Sequence, residues 1–127
     1  MTLAELIESI SGRVLTDGAD LNVKVEGGCG ADLMSDVLAS IQPNAVLLTG
    51  LCNPQVVRTA QMADVAAIVF VRGKVPTSDI IDLAQDEGIP LITAPFGMFE
   101  LCGRLYKAGL PSLEMRVMRT LDESIEE

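Results

Sequence analysis

Three short stretches of the chain gather residue types suited to holding an anion. Thr49-Gly50-Leu51-Cys52-Asn53, Val71-Arg72-Gly73-Lys74 and Thr93-Ala94-Pro95-Phe96-Gly97 each follow an apolar run and precede a segment of helical periodicity. Where a strand gives way to a helix, the first backbone N–H groups lack partners within the helix and favour negative charge. Arg72 and Lys74 add positive charge at the same edge, and Phe96 offers an aromatic surface to a base. The candidate ligand-binding set is Thr49, Gly50, Asn53, Arg72, Gly73, Lys74, Thr93 and Phe96, for a small anion or a nucleotide. A plainer assignment competes: Asn53, Thr77 and Ser78 as helix caps, Gly50 and Gly73 as turn residues, Arg72 and Lys74 as solvated cations.

Covalent chemistry has fewer candidates. Cys52 stands just before a helix N-terminus, where the helix dipole lowers a thiol pKa, so it is the candidate reactive thiol. Cys102 lies on an apolar helical stripe and reads as core, while Cys29 sits in a glycine-rich stretch. The chain contains no histidine, which removes the commonest general base and metal ligand and any Ser-His or Cys-His pair. No catalytic residue is assigned, and no enzyme, metal or cofactor is expected. Gly28-Cys29-Gly30 followed by Leu33 lacks the third glycine of a dinucleotide fingerprint. Gly73-Lys74 is followed by Val75, with Ile68 where a phosphate-gripping loop needs its first glycine. Asp32 and Asp36 are one helical turn apart but have no third ligand, so Asp32 reads as a helix cap and Asp36 as solvated.

Composition narrows the classes further. Net charge is −9 and the nine Lys and Arg form no cluster, which argues against nucleic acid as a partner. Aromatics are 3% of the chain, leaving few base-stacking platforms. Three widely spaced cysteines do not make a disulfide framework. The longest apolar runs fall far short of a membrane span, and no basic segment precedes an apolar one at the start. A cytoplasmic location and no membrane partner are the expectation. At 49% apolar content a chain of 127 residues builds its own core.

The elements that position the candidates follow from periodicity. Thr2-Leu3-Ala4-Glu5 is a capping box opening a short helix that ends near Ser11-Gly12. Arg13 to Thr16 reads as a short strand, and Asp17-Gly18 as a turn. Val23 and Val25 alternate with Lys24 and Glu26, predicting a half-exposed strand before a loop at Gly27-Gly28-Cys29-Gly30. Leu33, Met34, Val37, Leu38 and Ile41 have helical spacing. Then β-α units repeat: strand 45–49 with helix 54–63, strand 67–71 with helix 78–87, and strand 90–93 with helix 96–108. Continuous apolar strands between helices predict an α/β fold, a single three-layer domain with a mostly parallel sheet and helices on both faces. Beyond it, 111–127 reads as a C-terminal amphipathic helix (Leu113, Val117, Met118, Leu121, Ile125) and an acidic tail, suited to the domain 1–110 or to a second subunit.

The order of these elements over about residues 10 to 110 resembles the DRTGG domain family. The likeness is carried by the LLTG strand end, the following helix, AAIVFVRGKVP and the closing GIPLITAPFGMFE. Cys52-Asn53 stand where the family has Asp-Arg, and Val71-Arg72-Gly73 where it has Thr-Gly-Gly, so Gly73 alone keeps the name-giving residue. DRTGG domains are similar to the N-terminal domain of HPr kinase/phosphorylase, which lacks the kinase activity. The resemblance implies regulatory or dimer-forming roles beside nucleotide-sensing modules, or stand-alone forms associated with iron-only hydrogenases. The combined expectation is a non-catalytic regulatory or assembly module, homodimeric, with a small anionic ligand at the strand carboxyl ends. Two alternatives stand beside it: an adenine-nucleotide sensor, and an accessory protein for metal or redox assembly that uses Cys52 and a partner protein.

Overall fold

The computed structural model of the protein describes residues 1–116. They form five strands and five helices: α1 Leu3–Ser9, β1 Arg13–Val14, β2 Gly27–Gly30, α2 Met34–Ser40, β3 Ala45–Thr49, α3 Pro54–Met62, β4 Ala67–Phe70, α4 Ser78–Asp86, β5 Leu91–Thr93 and α5 Met98–Lys107. The sheet order is β1-β5-β4-β3-β2, parallel throughout except for β1, which runs antiparallel to β5. The expected α/β class and mostly parallel sheet are what the molecule has.

Both faces of the sheet are covered, and this explains the continuous apolar strands. Every residue of β3 and β4 is buried. Val46, Leu48, Val69 and Ile92 pack with Leu3, Leu6, Leu101 and Leu105 under α1 and α5. Their neighbours Leu47, Ile68, Phe70 and Leu91 pack with Val37, Val56, Val57 and Ile80 under α2, α3 and α4. Full burial of each such side chain is worth about 1.5–3 kcal/mol against leaving it exposed. The three-layer arrangement follows from that alternation.

Local signals set the helix ends. Thr2 and Glu5 form the predicted capping box, and the carboxylate of Glu5 accepts from the Thr2 N–H at 2.9 Å. Asn53 Oδ1 accepts from the Val56 N–H at 3.2 Å, and Pro54 occupies the first turn of α3. Gly88 and Gly109 follow α4 and α5 with positive φ.

Three expectations are corrected. Residues 23–26 form no strand; Lys24 makes a single antiparallel bridge to Thr2 instead. Gly27–Gly30 is not a loop but strand β2, paired in parallel with Ala45–Leu48. Its glycines suit the crowding on that edge. A Cβ on Gly27 would come within 2.6 Å of Leu113 Cβ and 2.8 Å of the Pro111 carbonyl. Third, residues 111–116 are extended rather than helical. Ser112 bridges Gly28 in parallel, and Glu114 bridges Ile41. This segment closes the β2 edge through Gly28 N to Pro111 O at 2.9 Å and Leu113 N to Gly28 O at 2.9 Å. The remainder of the expected C-terminal helix and acidic tail lies outside the described residues.

Candidate functional site

The parallel strands bring the candidate residues to one sheet edge, and they form two neighbouring groups. In the first, Thr49 Oγ1 donates to Asp32 Oδ1 at 3.0 Å, and the Gly50 N–H donates to the same oxygen at 2.7 Å. Lys74 Nζ donates to the Gly50 carbonyl at 2.9 Å. Thr93 Oγ1 donates to the Lys74 carbonyl at 2.8 Å. Thr49, Gly50, Lys74 and Thr93 therefore belong to one network spanning β3, β4 and β5.

Asp32 is the member that sequence reading misassigned. It does not cap α2, whose N-cap position is Leu33 with no side-chain cap bond. It follows the end of β2 at the same carboxyl edge, and its carboxylate takes the Thr49 hydroxyl and Gly50 N–H. Those donors were expected to hold an external anion. The signal was available only after Gly27–Gly30 is recognised as a parallel strand, because an acid just past such a strand reaches its neighbour's end.

The second group lies at the start of α5. Val71-Arg72-Gly73-Lys74 is a tight turn closed by Lys74 N to Val71 O at 3.1 Å. Arg72 and Gly73 both have left-handed backbone, φ 59 and φ 66. The turn is anchored to the next strand-to-helix connection by Arg72 N to Phe96 O and Gly73 N to Ala94 O, both 2.7 Å. The Arg72 guanidinium lies beside Gly97, within 3.8–3.9 Å of where a Cβ there would stand. Gly97 is the N-cap of α5 and supplies no side-chain cap. A cation thus stands beside the N-cap residue of a helix that has no side-chain cap. Phe96 is not open to a base on both faces: the Arg104 guanidinium stacks on its ring, 3.9 Å from the centroid.

Asn53 contributes to neither group, since its side chain is committed to capping α3. Thr77 occupies the N-cap position of α4, but its hydroxyl donates to Asp79 rather than accepting a helix N–H. That bond, with backbone donors, holds the Asp79 carboxyl below its ordinary pKa.

The thiols are shaped by burial. Cys52 is half-buried against the α2–α4 side of the core. Burial raises its pKa, opposed by the charge of Lys74, so the lowering expected from the helix dipole is not the net effect. Cys29 is pushed up to about 12 by burial, reinforced by the Glu114 carboxylate. Cys102 is also raised by burial and by Glu114. Cys29, Cys102 and Glu114 share a cleft of about 270 Å³ between β2 and α5. Among the described residues no group of three or more Cys, Asp or Glu is placed to hold a metal ion. A cavity of about 320 Å³ opens at the other edge of the sheet, beside Asp17, Gln85 and Pro90, away from the candidate residues. No helix among the described residues is long and apolar enough to cross a membrane.

Comparison with known proteins agrees with this architecture. The DRTGG domain profile matches residues 5–108. No curated protein matches significantly. A solved structure superposes with a TM-score of 0.70 at 19% identity, covering 98% of this chain and 57% of its own. It is the crystal structure of the CBS and DRTGG domains of the regulatory region of Clostridium perfringens pyrophosphatase, complexed with its activator diadenosine tetraphosphate.

Proposed function

The chain belongs to the DRTGG domain family, and from that premise we propose that it is a non-catalytic regulatory or assembly module. In this reading it works as a homodimer and takes a small anionic ligand at the carboxyl edge of the sheet. The observation that carries the ligand is Arg72. A non-glycine residue in left-handed backbone costs about 1–2 kcal/mol, and here it stands where the family has glycine. Strain of this kind concentrates at ligand sites. What the strain achieves is a guanidinium over the free N–H groups of α5, where dipole and cation both favour an anion. Lys74 is the weaker candidate, because Gly50 and the nearby Asp32 already engage its surroundings.

A phosphate-bearing ligand is the first class to test, and an adenine nucleotide is the specific second reading. It is supported by the adenine dinucleotide bound by the regulatory region of the similar pyrophosphatase. Thermal unfolding with inorganic phosphate, AMP, ADP and ATP separates the two. A ligand that binds only the folded state at a hundred times its Kd stabilises it by about 2.7 kcal/mol. A shift with nucleotides but not phosphate supports the sensor, and a shift with both supports the broader anion site. Arg72→Ala should abolish either shift. No shift with any anion would sink the ligand reading, and loss of the shift in Lys74→Ala alone would move the site to the Asp32 network.

A further inference from the structure

Resting on the homodimer reading above, we propose that the outward face of α5 receives a second copy of the chain. The two helices pack antiparallel about a two-fold axis near Gly103. Inward, α5 buries Leu101 and Leu105. Outward, at helical spacing, stand Phe99, 94% exposed, and Tyr106, 73% exposed, with Gly103 between them. Large aromatics left in water in this pattern mark an interaction surface.

Gly103 identifies the occupant as another helix. A Cβ at this position would meet nothing within 4 Å among the described residues, so no contact with them demands glycine. A glycine inside a helix costs about 0.5–1 kcal/mol relative to alanine. A missing side chain on an exposed face is what a second backbone needs for close approach. Open grooves of about 790 Å³ and 510 Å³ flank it, and both are bounded by Phe99, Gly103 and Lys107. Both grooves lie open to solvent along the outward face of α5.

Charge fixes the direction. Glu100 lies in the first turn of α5, and Arg104 and Lys107 in the last. Arg104 is occupied within its own chain, bonded to Glu100 at 2.9 Å and stacked on Phe96. Lys107 has no carboxylate within 4 Å among the described residues. An antiparallel pair centred on Gly103 sets Lys107 of each copy against Phe99 and Glu100 of the other. It also opposes the helix dipoles favourably. A parallel pair would set like charge against like. The face is therefore self-complementary, as a two-fold contact must be.

Native mass spectrometry and sedimentation of the wild type, Phe99→Lys, Gly103→Arg and Leu33→Glu test the proposal, with circular dichroism as a fold check. Leu33 is a control, being 60% exposed on the far side of the sheet from α5. The expected result is a dimer for wild type and Leu33→Glu, and folded monomers for the two α5 variants. The dissociation constant should rise by about 100-fold or more, since Phe99→Lys sets like charge against Lys107 and Gly103→Arg sets like charge against itself across the axis. Lys107→Glu should weaken the dimer, and adding Glu100→Lys should restore it. A wild-type dimer that survives both α5 variants overturns this face and leaves the homodimer reading standing. A wild-type monomer overturns both. Should Gly103→Arg unfold, Phe99→Lys decides alone, because Phe99 is almost fully exposed among the described residues.

Discussion

Arg72 sets conformation against the ligand role proposed for it. The turn at 71–74 needs two consecutive left-handed residues, and Gly73 supplies one at no steric cost while Arg72 does not. Replacing Arg72 by glycine should raise the unfolding free energy by about 0.5–1 kcal/mol, after allowing for the extra freedom of glycine in the unfolded chain. The anion-dependent shift should vanish in the same variant. Urea denaturation with and without phosphate measures both, and a destabilised variant would mean that contact with Gly97 outweighs the strain. The thiols make a second prediction. Cys29, at about 12 against an ordinary 9.0, carries about a thousandfold less thiolate at neutral pH than an ordinary thiol. Iodoacetamide should modify it last. Cys52 should react faster than Cys29, because Lys74 opposes the effect of burial; Cys52 no faster than Cys102 would remove the redox-assembly reading. Because the folded-state pKa of Cys29 lies above its unfolded value, the linked stability is full below about pH 9. It is lost as pH climbs towards 12. Cys29→Ser should flatten that alkaline decline. The sequence reading placed Cys52 at a helix start but could not weigh the dipole there against burial, which depends on the core side chains that other elements fold against it.

Elements with strong local signals were legible, and those imposed by neighbours were not. Asn53-Pro54 announces the start of α3, and the structure shows the cap. Asn53→Ala should cost about 1 kcal/mol in chemical denaturation. By contrast, Gly27-Gly28-Cys29-Gly30 has the composition of a loop, since glycine lacks any strand preference. It is a strand because β3 pairs one side and residues 111–113 close the other. The apolar spacing of Leu113, Val117 and Leu121 suggested a helix, yet the described part of that segment is drawn out along β2. The edge makes its own prediction. A Cβ at Gly27 collides with Leu113 and Pro111, so Gly27→Ala should destabilise by about 1–3 kcal/mol through overpacking. Hydrogen exchange at the Gly28 and Leu113 amides should accelerate at the same time. Unchanged protection there would mean that the 111–113 segment contributes little to holding β2.

For the whole molecule, alternation of apolar strands and amphipathic helices made the fold class readable, while strand order was not. Order depends on which long-range pairings win, and nothing local in Arg13-Val14 says that it joins β5 antiparallel at the far edge. Asp32 was lost to sequence reading for the same reason: its partners lie in β3. The net charge, however, is a property of the whole chain, and at −9 it opposes both compaction and self-association. Pairing two copies through α5 brings two such charges together, against attraction from only two Lys107–Glu100 contacts at the rim. Screening should therefore favour the dimer. As ionic strength rises from about 0.01 M to 0.1 M, the Debye length falls from about 30 Å to about 10 Å. Repulsion spread over the molecule is lost, while apolar burial of Phe99 and Tyr106 is retained. The expected outcome is a melting temperature a few degrees higher and a tighter dimer in salt, with the melting temperature rising with protein concentration. Sodium chloride serves best, because phosphate would also act on the anion site proposed at Arg72. A dimer that loosens in salt would show instead that rim ion pairs, rather than the aromatic face, hold the two copies together.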